Sequence, residues 1–353
     1  MAREKLCVGI DIGASSIKVC QLKRSKRGLV LQAFGHVPLP SETVVDGALM
    51  NSARVVDAIQ ELFASHRIRN KQVSISVSGH AVIIKKIPLP QMSREELDQS
   101  IQWEAEQFIP FDMADVFIDA QIVSEASTQQ GQMDVVLVAA KKDFVNEYTS
   151  VVIEAGLQPV VCDVDAFAIE NMFEANYDVS PAETVVLVNI GASKTNINIL
   201  AGGVSSFTRD LTVGGNSFTE EIQKQLNVAH EEAEALKLGG GDRAGHADAV
   251  VPHEVQRALS TMSENVTNEI HRSIDFYSAT SAAPPPSRIF LSGGTARMRV
   301  LSQTIESRIN VPVEVADPFR NIDVSDHDEG YLHSLAPAAG VAVGLALRYP
   351  GDN

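Results

Sequence analysis

One short pattern occurs twice in this chain, and it limits the fold more than any other feature. Val8–Lys18 reads VGIDIGASSIK and Val188–Ile197 reads VNIGASKTNI. In the first copy the apolar run Cys7–Ile10 reads as a buried strand. Asp11 and Gly13 break it, and Ile17–Leu22 alternates as a second strand. The expected element is a tight hairpin turning at Gly13, Ala14 and Ser15. Small residues there let a ligand come close to the backbone, and successive N–H groups can form an anion nest. Ser15 and Ser16 add hydroxyls, and the Asp11 carboxylate stands where it can hold a metal ion beside a phosphate. One such turn means little, because ordinary hairpins use the same residues. The second copy changes this. It follows the apolar run Thr184–Val188, with Asn189 in place of Asp11 and Gly191 in place of Gly13. Two like hairpins far apart point to a duplicated half, and facing each other they would grip a polyphosphate from both sides. A third piece, Ile289–Arg297, reads IFLSGGTAR: an apolar strand, a glycine pair, then a helix.

Composition narrows the class of partner. The 353 residues suffice for two domains or one bilobed one. A formal net charge of -16 argues against nucleic acid or an anionic membrane as a bulk electrostatic partner. No apolar run is long enough to span a bilayer, and the opening MAREKLCV is not a signal-peptide pattern, so a cytoplasmic protein is expected. Cys7, Cys20 and Cys162 contain no CxxC and read as buried free thiols, the first two near each other on the first hairpin. Asp326–Glu329 (DHDE) resembles a metal cluster, but no further ligand follows at the right spacing, and a solvated acidic loop is the simpler reading.

Along the chain, the hairpin, a strand over Leu29–Pro38, an amphipathic helix over Ser52–His66 and a strand over Gln72–Ser78 make a β-β-β-α-β unit. A block of different texture follows. It has a strand over Val82–Leu89 and a helix from a Ser93/Glu96 capping box to about Gln107. Strands over Val116–Val123 and Met133–Ala140, joined by SEASTQQGQ, precede a helix over Lys142–Gly156. Pro159–Val164 resumes the main unit as a strand, and Asp165–Glu174 is a helix. After the polar turn Asp178–Ala182 the second half opens with the repeated hairpin. Gly214 and Gly215 start a helix through Leu226. His230–Leu238 is a short helix ended by three glycines, and Val255–Ile274 lies on a long amphipathic one stopped by Pro284–Pro286. Pro337–Leu347 reads as a small-residue helix suited to close packing between lobes.

The order and spacing of the three glycine motifs resemble the phosphate-1, phosphate-2 and adenosine pattern of the actin/Hsp70/sugar-kinase superfamily. The resemblance implies an α/β, duplicated ribonuclease H-like, two-lobed fold. Within it, an inserted α+β subdomain 1C is carried by FtsA and by the type IV pilus assembly protein PilM family. Gln102–Phe111 (QWEAEQFIPF), the opening DIGASSIK and EAEALK at Glu232–Lys237 are similar to PilM, and the likeness covers essentially the whole chain. It implies subdomain 1A from 1–81, 159–180 and 338–353, subdomain 1C from 82–158, and a second lobe from 181–337.

The resemblance also implies a site. Gly13, Ala14, Ser15, Ser16 and Lys18, with Gly191, Ala192, Ser193, Lys194, Thr195 and Asn196, would wrap the phosphates of ATP or ADP. Asp11, with Asn189 opposite, would hold Mg2+ through water. Gly214 and Gly215 would also bind nucleotide, Gly293, Gly294, Thr295 and Arg297 would line the adenine and ribose side, and Glu234 with Lys237 would contact ribose and base. Alternatives stay open at this point: a surface ion pair for Glu234 and Lys237, and a solvated turn lysine for Lys194. Asp165 is the one candidate for activating water, or an N-cap. Asn189 removes a negative charge beside the metal, so binding with slow or no hydrolysis is expected. The implied partner is the N-terminal cytoplasmic peptide of PilN in a groove between 1A and 1C, with other pilus motor or platform proteins as further partners. The implied place is the cytoplasmic side of the inner membrane, reached through protein partners without membrane insertion. Two other classes share the pattern. A small-molecule kinase would need a substrate constellation that the inserted block lacks. An FtsA-like filament former would need a basic amphipathic terminal helix, and the ending LALRYPGDN does not read as one.

Overall fold

A computed structural model describes residues 5–124, 131–243, 252–281 and 283–352. The first sheet is built from β1 (Val8–Ile12), β2 (Ser16–Arg24) and β3 (Leu29–Pro38) as an antiparallel meander. A small hairpin of β4 (Val44–Val45) and β5 (Ala48–Leu49) precedes α1 (Ser52–Ser65). The helix starts where Asn51 caps it and buries Val55, Ile59, Leu62 and Phe63 at helical spacing. β6 (Gln72–Val77) then pairs parallel to β1.

The inserted block has its own sheet, β7 (Val82–Pro90), β8 (Val116–Ser124) and β9 (Gln132–Lys141), in the order β7-β9-β8. Its helix α2 (Arg94–Glu106) begins with the expected reciprocal Ser93/Glu96 capping box. Leu97, Ile101 and Ala105 of that helix pack on Leu89, Val135 and Leu137 as a separate core. Residues 125–130 of the β8–β9 link lie outside the described residues.

The next helix, α3 (Lys142–Glu154), was expected to belong to this block. Its Val145, Tyr148, Val151 and Val152 instead join the core of the first sheet and α1. The block's own packing therefore ends at Lys141, where the Lys141 N–H donates to Ala81 C=O at 2.9 Å.

After β10 (Gln158–Val164) and α4 (Asp165–Asn176) the plan repeats. β11 (Thr184–Ile190), β12 (Thr195–Ala201) and β13 (Val204–Leu211) form the second meander. α5 (Gly215–Leu226), α6 (His230–Arg243) and α7 (His253–Thr280) cover it. β14 (Arg288–Ser292), α8 (Arg299–Ile309) and β15 (Val313–Val315) complete the half. The sheet orders β3-β2-β1-β6-β10 and β13-β12-β11-β14-β15 have the same topology, as the repeat implied. Two expectations fail. The helix α6 does not stop at Gly239 but runs to Arg243. Also, the chain returns to the first sheet before residue 338: β16 (Ile322–Asp323) pairs with β3, and Phe319, Ile322 and Leu332 pack on Leu31 and Phe34.

The C-terminal segment divides after α9 (Glu329–Leu335) into a 3-10 turn over Ala336–Ala339 and α10 (Gly340–Leu345). It is shorter than the expected Pro337–Leu347 helix, but it packs closely as small residues permit. A Cβ at Gly344 would overlap the Ala168 carbonyl of α4.

Candidate active-site cleft

A cleft of 440 Å³ opens between the two sheets, within the size of small-molecule sites. Both GAS turns line it from opposite sides, each closed by the same bond. The Gly13 N–H donates to Ser16 C=O at 3.1 Å, and the Gly191 N–H to Lys194 C=O at 2.9 Å.

Behind the first turn, strand register sets Asp11 against Lys18, and Lys18 against His36. Lys18 Nζ meets Asp11 Oδ2 at 3.1 Å. Burial pushes the Asp11 carboxyl up and nearby Asp165 adds to this, while the Lys18 ammonium pulls it down. Burial and the same ammonium hold His36 below its ordinary pKa, so it is neutral at pH 7. Asp165 is the first residue of α4, and the capping position before it is Val164. Asp165 Oδ1 accepts from Ser76 Oγ at 2.6 Å, and the residue faces the cleft. The N-cap reading of Asp165 is therefore excluded.

Behind the second turn amides stand in place of the ion pair, and the row ends in the Asp210 carboxylate. Asn189 Nδ2 donates to Asn196 Oδ1 at 3.0 Å, and Asn196 Nδ2 to Asp210 Oδ1 at 2.8 Å. Lys194 is not a solvated lysine: its Nζ donates to Ser78 C=O at 2.8 Å across the cleft mouth and lies 5.9 Å from the Phe144 ring centroid. Burial lowers its pKa, opposed by Asp165, Asp210 and Asp46.

On the nucleoside side, Lys237 is buried and its pairing with Glu234 at 2.6 Å is no surface ion pair. Lys237 Nζ also donates to Thr219 Oγ1 at 2.9 Å and Gly215 C=O at 3.2 Å, which ties α6 to α5. Gly293 has φ +88, and a Cβ there would overlap the Ile190 backbone, so only glycine suits the position. Thr295 Oγ1 donates to Gly191 C=O at 2.9 Å, which ties the adenosine-type motif to the second turn. Gly294 and Arg297 face the cleft beside it.

Two residues expected in the site do not line it. Thr195 Oγ1 is spent on Val213 C=O at 2.7 Å. Gly214 lets two turns touch, since a Cβ there would come within 2.7 Å of Ala192 O. Its neighbour Asn216 faces the cleft instead. Sequence reasoning also missed Ser76, His36, Tyr148 and Leu238, which all line the cleft. Ser76 had a signal, because it stands next to the end of β6 as Ser292 ends the equivalent β14. Tyr148 had none: α3 brings it from the far side of the inserted block, where its OH donates to Gly47 C=O at 2.8 Å.

Among the described residues no cluster of three His, Cys, Asp or Glu side chains is placed to chelate a metal. Asp11 fits a hydrated Mg2+, which is held by one or two carboxylates with waters and phosphates. The Lys18 bond uses Oδ2. In the Asp326–Glu329 loop, His327 Nε2 contacts Leu31 C=O at 3.1 Å. The three cysteines are free, with Cys7 and Cys20 buried and Cys162 exposed. Phe108, Ile109 and Phe111 of the QFIPF run pack the inserted block's core. No described helix is long and apolar enough to cross a membrane.

Two like sheets, duplicated phosphate-type turns and a cleft between them define an actin-like ATPase fold. The chain belongs to the family described as type IV pilus assembly protein PilM, whose model matches residues 9–349. It is similar to the solved structure of a PilM-PilN type IV pilus biogenesis complex, at 28% identity, TM-score 0.86 and 98% coverage of both chains. Its fold is also that of MreB5 of Spiroplasma citri bound to ADP, at 12% identity and TM-score 0.53, covering 96% of this chain and 94% of that one. Among curated proteins it resembles cell division protein FtsA of Streptococcus pneumoniae, 22% identical over 99% of this chain and 84% of the relative.

Proposed function

We propose that this protein is an ATP-binding scaffold of the type IV pilus assembly complex at the inner membrane. ATP or ADP with Mg2+ sits between the two GAS turns, and hydrolysis is slow or absent. The observation that carries this reading is the convergence of both turns on one 440 Å³ cleft. Backbone N–H groups there meet phosphate oxygens, and each charge-assisted bond contributes about 1.5–3 kcal/mol. Asp11 is the metal-side carboxylate, Lys18 and Lys194 are point charges for the phosphates, and Leu238 and Arg297 flank the base. Slow turnover follows from the carboxylate count. The second turn offers Asn189 and Asn196, Asp11 is already paired with Lys18, and Asp165 alone remains to orient water.

The membrane link in this reading is the N-terminal cytoplasmic tail of PilN, the protein found with PilM in the related solved complex. The tail binds between the first lobe and the inserted block, which ends at Lys141, and gains main-chain hydrogen bonds on ordering. Titration of the intact protein by calorimetry with Mg-ATP, and by fluorescence with a labelled N-terminal PilN peptide, tests both halves. Saturable binding of each is expected, with ATP binding lost in Gly13→Val. Normal ATP binding by that variant would displace the nucleotide from the turns, and no peptide binding would remove the scaffold role.

A further inference from the structure

The amide row behind the second turn does not end in its own lobe. Ser292 Oγ donates to Asn189 Oδ1 at 3.4 Å, Asn189 Nδ2 to Asn196 Oδ1 at 3.0 Å, and Asn196 Nδ2 to Asp210 Oδ1 at 2.8 Å. The other Asp210 oxygen, Oδ2, accepts the backbone N–H of Gly79 in the first lobe at 2.6 Å. Beside it, Lys194 Nζ holds the Ser78 carbonyl at 2.8 Å. The turn over 78–81 thus has two second-lobe partners, Asp210 on β13 and Lys194 on the second GAS turn, and Lys194 lines the cleft.

That turn is also the root of the inserted block. Val82 N–H, at the start of β7, donates to Gly79 C=O at 2.9 Å, and Lys141 N–H, at the end of β9, donates to Ala81 C=O at 2.9 Å. The block enters and leaves its lobe through these bonds. Gly79 has φ +92, and a Cβ there would stand 2.6 Å from Lys194 Nζ, so the fit is close and the conformation is one a side chain resists.

We propose that Asp210 is a positioning residue that transmits the occupancy of the cleft to the root of the inserted block. The proposal rests on the nucleotide reading of the cleft. Asn189, Asn196 and Lys194 line the cleft, whereas Asp210 does not. A phosphate that pulls the Lys194 ammonium toward itself lengthens its bond to Ser78 C=O. A phosphate oxygen that accepts from Asn196 Nδ2 draws that amide from Asp210. The carboxylate then loses its fixed orientation, and Gly79 loses the acceptor that pins it. An occupied cleft therefore loosens the 78–81 turn, and with it β7 and the end of β9. Only differential contact with the two states can shift such an equilibrium, and these two donors are where the contact differs.

Hydrogen exchange on the full chain, read by mass spectrometry over 78–90 and 136–142, tests this in two arms. Without nucleotide, Asp210→Ala is expected to speed exchange over both segments at least tenfold while α7 stays protected. Asp210→Asn, which keeps an acceptor for Gly79, should give a smaller rise. Unchanged exchange in Asp210→Ala overturns the pinning role. In the second arm Mg-ATP is added to wild type, with binding followed in parallel by calorimetry. Faster exchange over the same segments, absent in Asp210→Ala, is expected. ATP that binds without changing exchange overturns the coupling and leaves the nucleotide site intact. ATP that does not bind overturns the nucleotide reading and the coupling together.

Discussion

The two halves place four equivalent residues in a row behind each turn, and the rows differ in kind. In the first lobe the row is Ser76, Asp11, Lys18 and His36; in the second it is Ser292, Asn189, Asn196 and Asp210. The first row concentrates charge: an ion pair at 3.1 Å with a histidine kept neutral by burial and by the lysine next to it. The second spreads one negative charge to the far end of a chain of amides. The same backbone therefore supports an electrostatic grip in one lobe and a hydrogen-bonded conduit in the other. Duplication supplied the geometry, and three substitutions between equivalent positions set the chemistry.

The sharpest way to break this contrast is to remove the matching central residue from each row. Lys18→Ala strands a largely buried carboxylate and should cost about 3–5 kcal/mol in denaturant unfolding, whereas Asn196→Ala should cost about 1–3 kcal/mol. The double change Asp11→Asn with Lys18→Asn copies the second row into the first and should recover most of the loss. Equal costs for the two single variants would show that the rows do not differ as described.

The next effect lies where the halves meet. Glu170 of α4 accepts from Asn198 of β12 at 2.9 Å, and burial with neighbouring Glu174 and Asp163 lifts its carboxyl to about 7. Between its ordinary value of 4.5 and about 7 the folded chain keeps a proton that the unfolded chain has released. Stability should therefore fall as pH rises through that window and level off above it. Glu170→Gln keeps the acceptor and should remove the slope, gaining about 1–2 kcal/mol at pH 8 once residual solvent exposure is allowed for. Thermal melts of both proteins from pH 4 to 8 would show it; parallel curves would count against it.

Asp165→Ala comes third. If the Asp165 carboxylate orients water, any measurable phosphate release should drop at least tenfold, about 1.4 kcal/mol, with little change in ATP affinity. An unchanged rate would leave Asp165 a partner of Ser76 only. The smallest effect is expected from Asn189→Asp, which makes the second row resemble the first. ATP binding should then saturate at a Mg2+ concentration a few-fold lower, a change of under about 1 kcal/mol, read by titrating the metal at fixed nucleotide.

Much of this architecture was legible in the residues because it is carried by local pattern. The paired GAS turns, the 3.6-residue period of α1 and the Ser93/Glu96 box each encode their element within a few residues. What was not legible depends on distant segments. The packing of α3 is set by the first-lobe core, since the apolar face that buries Val145 and Val152 would suit either neighbour. The glycines at 239–241 read as a stop because glycine weakens helices, yet α6 continues through them. Thr195 follows the motif in sequence but points along the pleat toward Val213, so strand alternation removed it from the site. Asp210 gave no signal at all; only the β12–β13 register sets it opposite Asn196.

The placement of α3 bears on how the chain came to have its extra block, and on how that block can be moved. Residues 82–141 begin and end on one turn, joined by the bond between Lys141 and Ala81. An insertion whose two ends already touch can be gained, lost or exchanged without opening the host sheet. Excision at that seam leaves Tyr148, Val151 and Val152 in place, while a cut extended to Gln158 empties the host of the same side chains. The seam at Ala81 and Lys141 is thus the natural graft site for chimeras among relatives that carry different inserts, and a short turn across it is the smallest chain that would close the wound.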